Sequence, residues 1–326
     1  MKSPLVRKLC LPIAASAILA SAFALLIASG YRDGEALCGG TRYELSGLQN
    51  GPTPAIALIV AGVSGPFLLD YGATRSSLSA EAFSGPAGSV RTAAISLPSF
   101  GRGDFKLASY GQPLQGPKQR LGIIGTDFLS LLSAQFSGNA VNLGAQACDP
   151  KALSARGLVP VAQTGFFSSD VSKVASGRPN VPVVFLRLGE VHAWAQIDTG
   201  YADSVYPHSV DINEALYGRL VASGVKMERT ADVGVWTCEG RESRRAYVAE
   251  GSALGIENER GERIVETGRF HLIVKPPNGC GGIAAMATPA AQLGASFLKL
   301  FGTIVFDPKN ETVWLKGKAG HRFFTP

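Results

Sequence analysis

The sequence predicts an all-β protein built from two related, barrel-like lobes with short helices. Three observations carry this expectation. Hydrophobic residues are 46% of the 326, yet they come as short Val/Ile/Leu/Phe runs broken by 39 glycines and 19 prolines, the punctuation of a strand-rich chain. An apolar run that reaches an aspartate and breaks at a glycine two residues on occurs twice. It reads Phe67-Leu68-Leu69-Asp70-Tyr71-Gly72-Ala73 the first time and Ala195-Gln196-Ile197-Asp198-Thr199-Gly200-Tyr201 the second. Each run is followed, in the same order, by a Gly-ended element, a Phe-Leu step and a hairpin. These are Ile123-Ile124-Gly125 with Phe128-Leu129, and Gln292-Leu293-Gly294 with Phe297-Leu298. Ordered self-similarity of this kind points to a duplicated unit whose second copy is the larger.

Taken in order, the chain opens on a targeting or anchoring segment, 1–30. Lys2, Arg7 and Lys8 precede 11–29, a stretch without charge that is about long enough to cross a ~30 Å hydrocarbon core as a helix. Ala28-Ser29-Gly30 offers small residues for signal-peptidase cleavage, so a removed export signal and a retained membrane anchor both fit. Positive charge ahead of the span puts the bulk of the chain outside the cytoplasm, either membrane-anchored or periplasmic or secreted. Residues 31–50, polar and Gly-rich, read as a linker.

The first lobe is expected over 51–150. Strands at 55–60 and 66–69 flank a turn at 62–65, and 81–120 alternates apolar runs with Gly/Pro turns as hairpins do. A buried strand over 121–125 turns into a short helix that Asp127 is expected to cap, and 135–143 returns as a hairpin. A crossover at 149–157 leads into the second lobe, 151–320. There 159–163, 181–188 and 191–197 read as strands, with Gly189-Glu190 a tight turn. Helical spacing runs over 207–222, with Pro207 near the start and Gly224 as the stop. A strand-rich middle extends to 274, and 303–306 with 312–315 forms a closing hairpin.

Composition narrows the function. The net charge is +6, half of it from Lys2, Arg7 and Lys8, and no dense basic run with interleaved aromatics exists, so no nucleic-acid partner is expected. Four cysteines follow the first segment: Cys38, Cys148, Cys238 and Cys280. An even number in an exported chain suggests two disulfides, with three pairings open. Cys38–Cys148 with Cys238–Cys280 is preferred, because each bond then closes within one half. The cysteine spacing and four scattered histidines do not make a zinc site, so neither metal nor cofactor is expected. Ser64 and Ser76 lack a Gly-x-Ser-x-Gly setting, which disfavours serine-hydrolase chemistry.

The paired Asp loops and their later glycines resemble the pepsin-like and retropepsin-like aspartic peptidases. In that family each lobe gives one Asp-Thr/Ser-Gly loop, and an apolar-apolar-Gly element passes beneath it. The resemblance spans roughly 50–316. It implies a bilobal acid-protease fold with Asp70 and Asp198 catalytic and Gly72, Thr199, Gly200, Gly125 and Gly294 supporting them. It further implies a cleft for an extended peptide or protein substrate, a flap over it between Arg91 and Tyr110 with its tip at Phe100-Gly101 or Tyr110-Gly111, and a monomer. The chemistry is proton sharing. Carboxylates about 3 Å apart cannot both ionise, so one accepts a proton from a bound water while the other donates to the scissile carbonyl.

Several positions depart from the family pattern. Thr199 can bond across to the opposite loop, whereas the Tyr71 hydroxyl lies far from its backbone. Ala73 and Tyr201 stand where a small hydroxyl often accompanies the Asp, and Gln292 is polar where an apolar residue is usual. Fewer hydroxyl bonds imply a dyad with raised pKa values and a mildly acidic optimum, not one near pH ~2. Tyr71 also frames the alternative expectation: a catalytically weak or inactive relative that binds extended peptides or scaffolds an envelope complex.

Overall fold

Short strands with one buried face close on themselves twice, and a third sheet joins the two closures. The computed structural model describes residues 36–46, 53–97, 101–110, 120–161, 167–170, 180–202, 205–206, 209–237, 240–279, 282–298 and 301–316, and these described residues belong to one compact unit. The expected N-terminal segment 1–30, Cys238, Cys280, Phe100 and Gly111 lie outside the described residues.

The first closure begins with β2 (Ala55–Val60) and β3 (Val63–Leu69), a hairpin about Ala61-Gly62. The expected turn at 62–65 is shorter in fact. Ala61 and Gly62 both adopt positive φ, 48° and 82°, so two residues suffice to reverse the chain. β3 runs parallel to β7 (Gly122–Ile124), and β7 runs antiparallel to β4 (Ser77–Ser79). β4 is parallel to β6 (Gly101–Tyr110), β6 is antiparallel to β5 (Val90–Leu97), and β5 returns to β2. Ile56, Phe67, Leu69, Leu78, Ile95 and Leu107 are buried in the core this barrel encloses.

The second half repeats each pairing in the same order and sense. β11 (Val183–Leu188) is antiparallel to β12 (Val191–Asp198), which is parallel to β18 (Ala290–Gly294). β18 is antiparallel to β13 (Ser209–Asn213), which is parallel to β17 (Arg263–Lys275). β17 is antiparallel to β16 (Gly240–Glu257), and β16 returns to β11. β14 (Met227–Arg229) and β15 (Val233–Thr237) add to β16 and enlarge this half.

A six-stranded sheet spans both halves in the order β1 (Thr41–Glu44), β9 (Ala140–Gly144), β8 (Ser133–Ser137), β19 (Thr303–Asp307), β20 (Thr312–Lys316) and β10 (Leu158–Pro160). β8 pairs with β19 at its middle, so each half contributes three strands. The all-β, two-lobed fold class is therefore observed, and the duplication is visible strand by strand.

Among the described residues the α-helices are α1 (Ala80–Phe83), α2 (Thr126–Leu129), α3 (Pro150–Ala155), α4 (Glu214–Ala222) and α5 (Ala295–Leu298). Ser79 and Asn213 hold matching positions at the ends of β4 and β13. Each caps the helix that follows, accepting from Ala82 N and Leu216 N.

Three expectations need correction. The stretch 31–50 is not simply a linker: Thr41–Glu44 form β1, pairing with β9 as β10 pairs with β20. The expected helix over 207–222 starts at Glu214, because Ser209–Asn213 are fully buried between β17 and β18 as strand β13. Asp127 lies inside the first turn of α2, and Gly125 occupies the N-cap position.

Cys38 and Cys148 form the expected disulfide, beside a small apolar cluster of Leu153, Leu158, Val305 and Trp314. It closes a loop of 110 residues. Loop-closure entropy at that length makes the bond worth about 3–5 kcal/mol. A Cys38→Ser/Cys148→Ser double variant should lose about that much unfolding free energy in urea. An unchanged midpoint would contradict the clasp.

Candidate active site

Each half delivers one aspartate by the same route. β3 ends at Leu69 and β12 at Asp198, and each is held by its parallel partner, β7 or β18. The chain then turns sharply. Asp70 Oδ1 accepts from Gly72 N (2.7 Å) and Ala73 N (3.1 Å), and Asp198 Oδ1 accepts from Gly200 N (2.9 Å) and Tyr201 N (3.0 Å). The element leaving β7 or β18 passes beneath the loop. Thr126 N donates to Ala73 O (2.8 Å), and Ala295 N donates to Tyr201 O (2.7 Å).

The glycines are required by close approach. A Cβ on Gly125 would stand 2.7 Å from Ala73 O, and one on Gly294 would stand 2.7 Å from Tyr201 O. Across the lobes the fit is tighter still. A Cβ on Gly72 would lie 2.3 Å from Asp198 Cγ, and one on Gly200 would lie 2.2 Å from Asp70 Oδ2. Each carboxylate thus rests on the other loop's glycine, which brings the two side chains close enough for their ionisations to be coupled. Asp70, buried, and Asp198, half-buried, come from different lobes and form one pair. Burial raises both pKa values, and the repulsion that two ionised carboxylates would suffer raises further whichever of the two ionises second.

Behind the first loop, Ser76 Oγ donates to Asp127 Oδ1 (2.6 Å) and accepts from Gly125 N (2.9 Å). This bond, with Ser76 N to the Asp127 carboxylate, fixes Asp127 as a brace for the loop.

Between the two Asp loops, the Thr199 hydroxyl bridges the lobes. Thr199 Oγ1 accepts from Tyr71 N (2.9 Å) and donates to Leu69 O (2.6 Å). Tyr71 gives no such bond in return. Its ring is fully buried, stacked on Phe306 at 3.8 Å between centroids, and meets Phe136 and Phe167 edge-on. Tyr71 is therefore a core aromatic that turns away from the carboxylates. Gln196 supplies a further cross-lobe bond, donating from Nε2 to Gly72 O (3.0 Å).

The departures beside Asp198 have a structural answer. Gln292 Nε2 donates to Asp198 Oδ2 (2.6 Å), where no small hydroxyl is available at position 201. Lys275 Nζ donates in turn to Gln292 Oε1 (3.0 Å). Tyr201 instead sends its hydroxyl to Asp211 (2.9 Å), which is paired in the interior with Arg244 (2.6 Å). Sequence reasoning noticed that Gln292 was polar but gave it no role, and it missed Gln196, Lys275, Asp211 and Arg244. The period-two alternation of β12, which puts Gln196 and Asp198 on one face, was the available signal for Gln196. Among the described residues no group of three or more His, Cys, Asp or Glu could hold a metal ion.

No protein-family model matches the sequence, and no curated protein does. Among solved structures, the chain is similar to basic 7S globulin from soybean, with a TM-score of 0.44 and 12% identity over 87% of this chain and 98% of that one.

The Tyr71 hydroxyl has no hydrogen-bond partner among the described residues, although its ring fills the core. Tyr71→Phe should therefore raise unfolding free energy by about 1 kcal/mol. Tyr71→Thr, which puts a small hydroxyl at this position, should lower it by about 3–5 kcal/mol through the cavity it leaves. Urea midpoints measure both, and a Thr variant as stable as the parent would contradict the packing role.

Proposed function

We propose that this chain is an aspartic-type endopeptidase that hydrolyses peptide bonds with a water activated by Asp70 and Asp198. One observation carries the reading. Two carboxylates on duplicated loops are each seated on the opposite loop's glycine, close enough for their ionisations to be coupled. Carboxyl pairs so close hold one proton between them across a pH window and offer a base and an acid at once.

The ionised member takes a proton from the water while the water oxygen bonds to the scissile carbonyl carbon. The protonated member gives its proton to the carbonyl oxygen, forming a neutral tetrahedral diol. Collapse breaks the C–N bond as the nitrogen takes a proton from the dyad and a diol hydroxyl returns one. A carboxylic acid and an amine leave, and the dyad again holds one proton. Burial and mutual repulsion put this window above the usual carboxylate range, and activity is lost as pH rises through the upper apparent pKa. The substrate is an extended peptide or protein segment, and the Cys38–Cys148 bond favours an oxidising compartment outside the cytoplasm.

A second reading, a catalytically weak peptide binder, is favoured by one feature. Tyr71 packs into the core, which leaves Thr199 as the only loop residue of the two to reach across with its hydroxyl. An assay separates the two readings. The full chain is incubated with a diverse peptide pool from mildly acidic to neutral pH, beside Asp70→Asn and Asp198→Asn. Cleavage that peaks in the acidic part and falls about 10³-fold or more in either variant is the expected result. Peptide binding without cleavage at any pH would favour the second reading. Cleavage indifferent to both substitutions would refute the first.

A further inference from the structure

The duplicated lobes differ most where they flank the two carboxylates. In β18, Gln292 sits one residue before the position that pairs with Ile197, and in β7 the matching residue is Ile123. Asp211 of β13 corresponds in the same way to Ser77 of β4. Lobe two therefore places an amide and charged groups where lobe one has an alkyl chain and a hydroxyl.

The orientation of the Gln292 amide is fixed by chemistry. An ammonium only donates, so Lys275 Nζ must meet Oε1, and Nε2 must then face Asp198 Oδ2. Gln292 and Lys275 are buried, with 5% and 3% of their surface exposed, and Asp198 is half-buried. An amide N–H at 2.6 Å favours an ionised oxygen, and a hydroxyl on Oδ2 would oppose it. Asp198 Oδ1 is already occupied by two backbone N–H groups. Asp70 also receives three N–H groups, from the backbone of Gly72, Ala73 and Gly200, and the difference at Asp198 is that its third donor, Gln292, is itself polarised by the Lys275 ammonium.

We propose that Gln292 and Lys275 are positioning residues that hold the dyad's negative charge on Asp198 and leave the shared proton on Asp70. The assignment rests on the peptidase reading for its catalytic meaning: Asp198 is then the base that takes the water proton, and Asp70 is the acid. The charged surroundings are consistent with it. Lys275 faces Asp198, Asp211, Glu242 and Arg244, and the Asp211–Arg244 pair is internally balanced. Arg120 acts on Asp70 through space but gives its hydrogen bond to Thr53, so it does not hold the Asp70 carboxylate directly. Mutual repulsion belongs to the pair and raises whichever carboxyl ionises second, so it does not choose between them.

The test is carboxyl ¹³C NMR of the full chain labelled at aspartate Cγ and followed through pH without substrate. Asp70→Asn and Asp198→Asn assign the resonances. In the parent, Asp198 is expected to keep the ionised shift and Asp70 the protonated one through the single-proton window. In Gln292→Met, and separately in Lys275→Gln, the proton should spread onto Asp198 and both apparent pKa values should rise by about one unit. Two variants guard against one that fails to fold. An Asp198 resonance that is protonated in the parent, or unmoved in both folded variants, overturns the assignment. The readout needs no turnover. An ionised Asp198 in a chain that cleaves nothing would sink the peptidase reading alone, and cleavage with a protonated Asp198 would sink this inference alone.

Discussion

Two acids buried against each other are the constraint on which the rest of the structure depends. Moving an ion out of water costs several kcal/mol even after relaxation, and two like charges in contact cost more. The fold tolerates Asp70 and Asp198 because a proton can be shared between them and backbone amides of both loops take the remaining charge. Each loop is closed by the element passing beneath it, and each presents a glycine where a methyl group would collide with the other lobe's carboxylate. Strand order follows from the same need. Only β3 against β7 and β12 against β18, brought together by the sheet that joins β8 to β19, aim two equivalent turns at one point.

Duplication did not keep the lobes identical. Where the second loop carries the Thr199 hydroxyl, the first carries Tyr71, whose ring packs with Phe136, Phe167 and Phe306. Packing there replaces part of a polar lock, and Thr199 with Gln196 retains the remainder. The second lobe moved the other way. It recruited Gln292, Lys275, Asp211 and Arg244 into an interior polar network that ends on Asp198. Such a network is tolerable inside because its members bond to one another.

The fold class, the duplication and the positions of the two loops were legible in the sequence because they are written locally. An apolar run, an Asp and a Gly two residues later can be read within seven residues, and order alone links them to Gly125 and Gly294. What was not legible depends on register between distant strands. Gln292 reaches Asp198 only because β12 and β18 pair in parallel with Gln196 opposite Gln292, and Lys275 meets it only through β13 and β17. β1 was hidden by its polar, glycine-rich surroundings. β13 was hidden because its five buried residues run straight into α4, and helical spacing in the latter swallowed both. Tyr71 could be placed neither in the core nor in the site from sequence, since its partners Phe136 and Phe306 come from β8 and β19.

The central claim is that Asp70 and Asp198 hold one proton as a pair in the folded chain. The most direct measurement counts protons released on unfolding at mildly acidic pH, in the wild type and in an Asp70→Asn/Asp198→Asn double variant. A carboxyl whose folded pKa lies above its unfolded value binds more proton when folded, so unfolding releases it and stability falls as pH rises through that window. Asp127 and Asp307, also raised by burial, contribute equally to both proteins and cancel. The account predicts that the wild type releases about one proton more than the double variant. Equal release would contradict it.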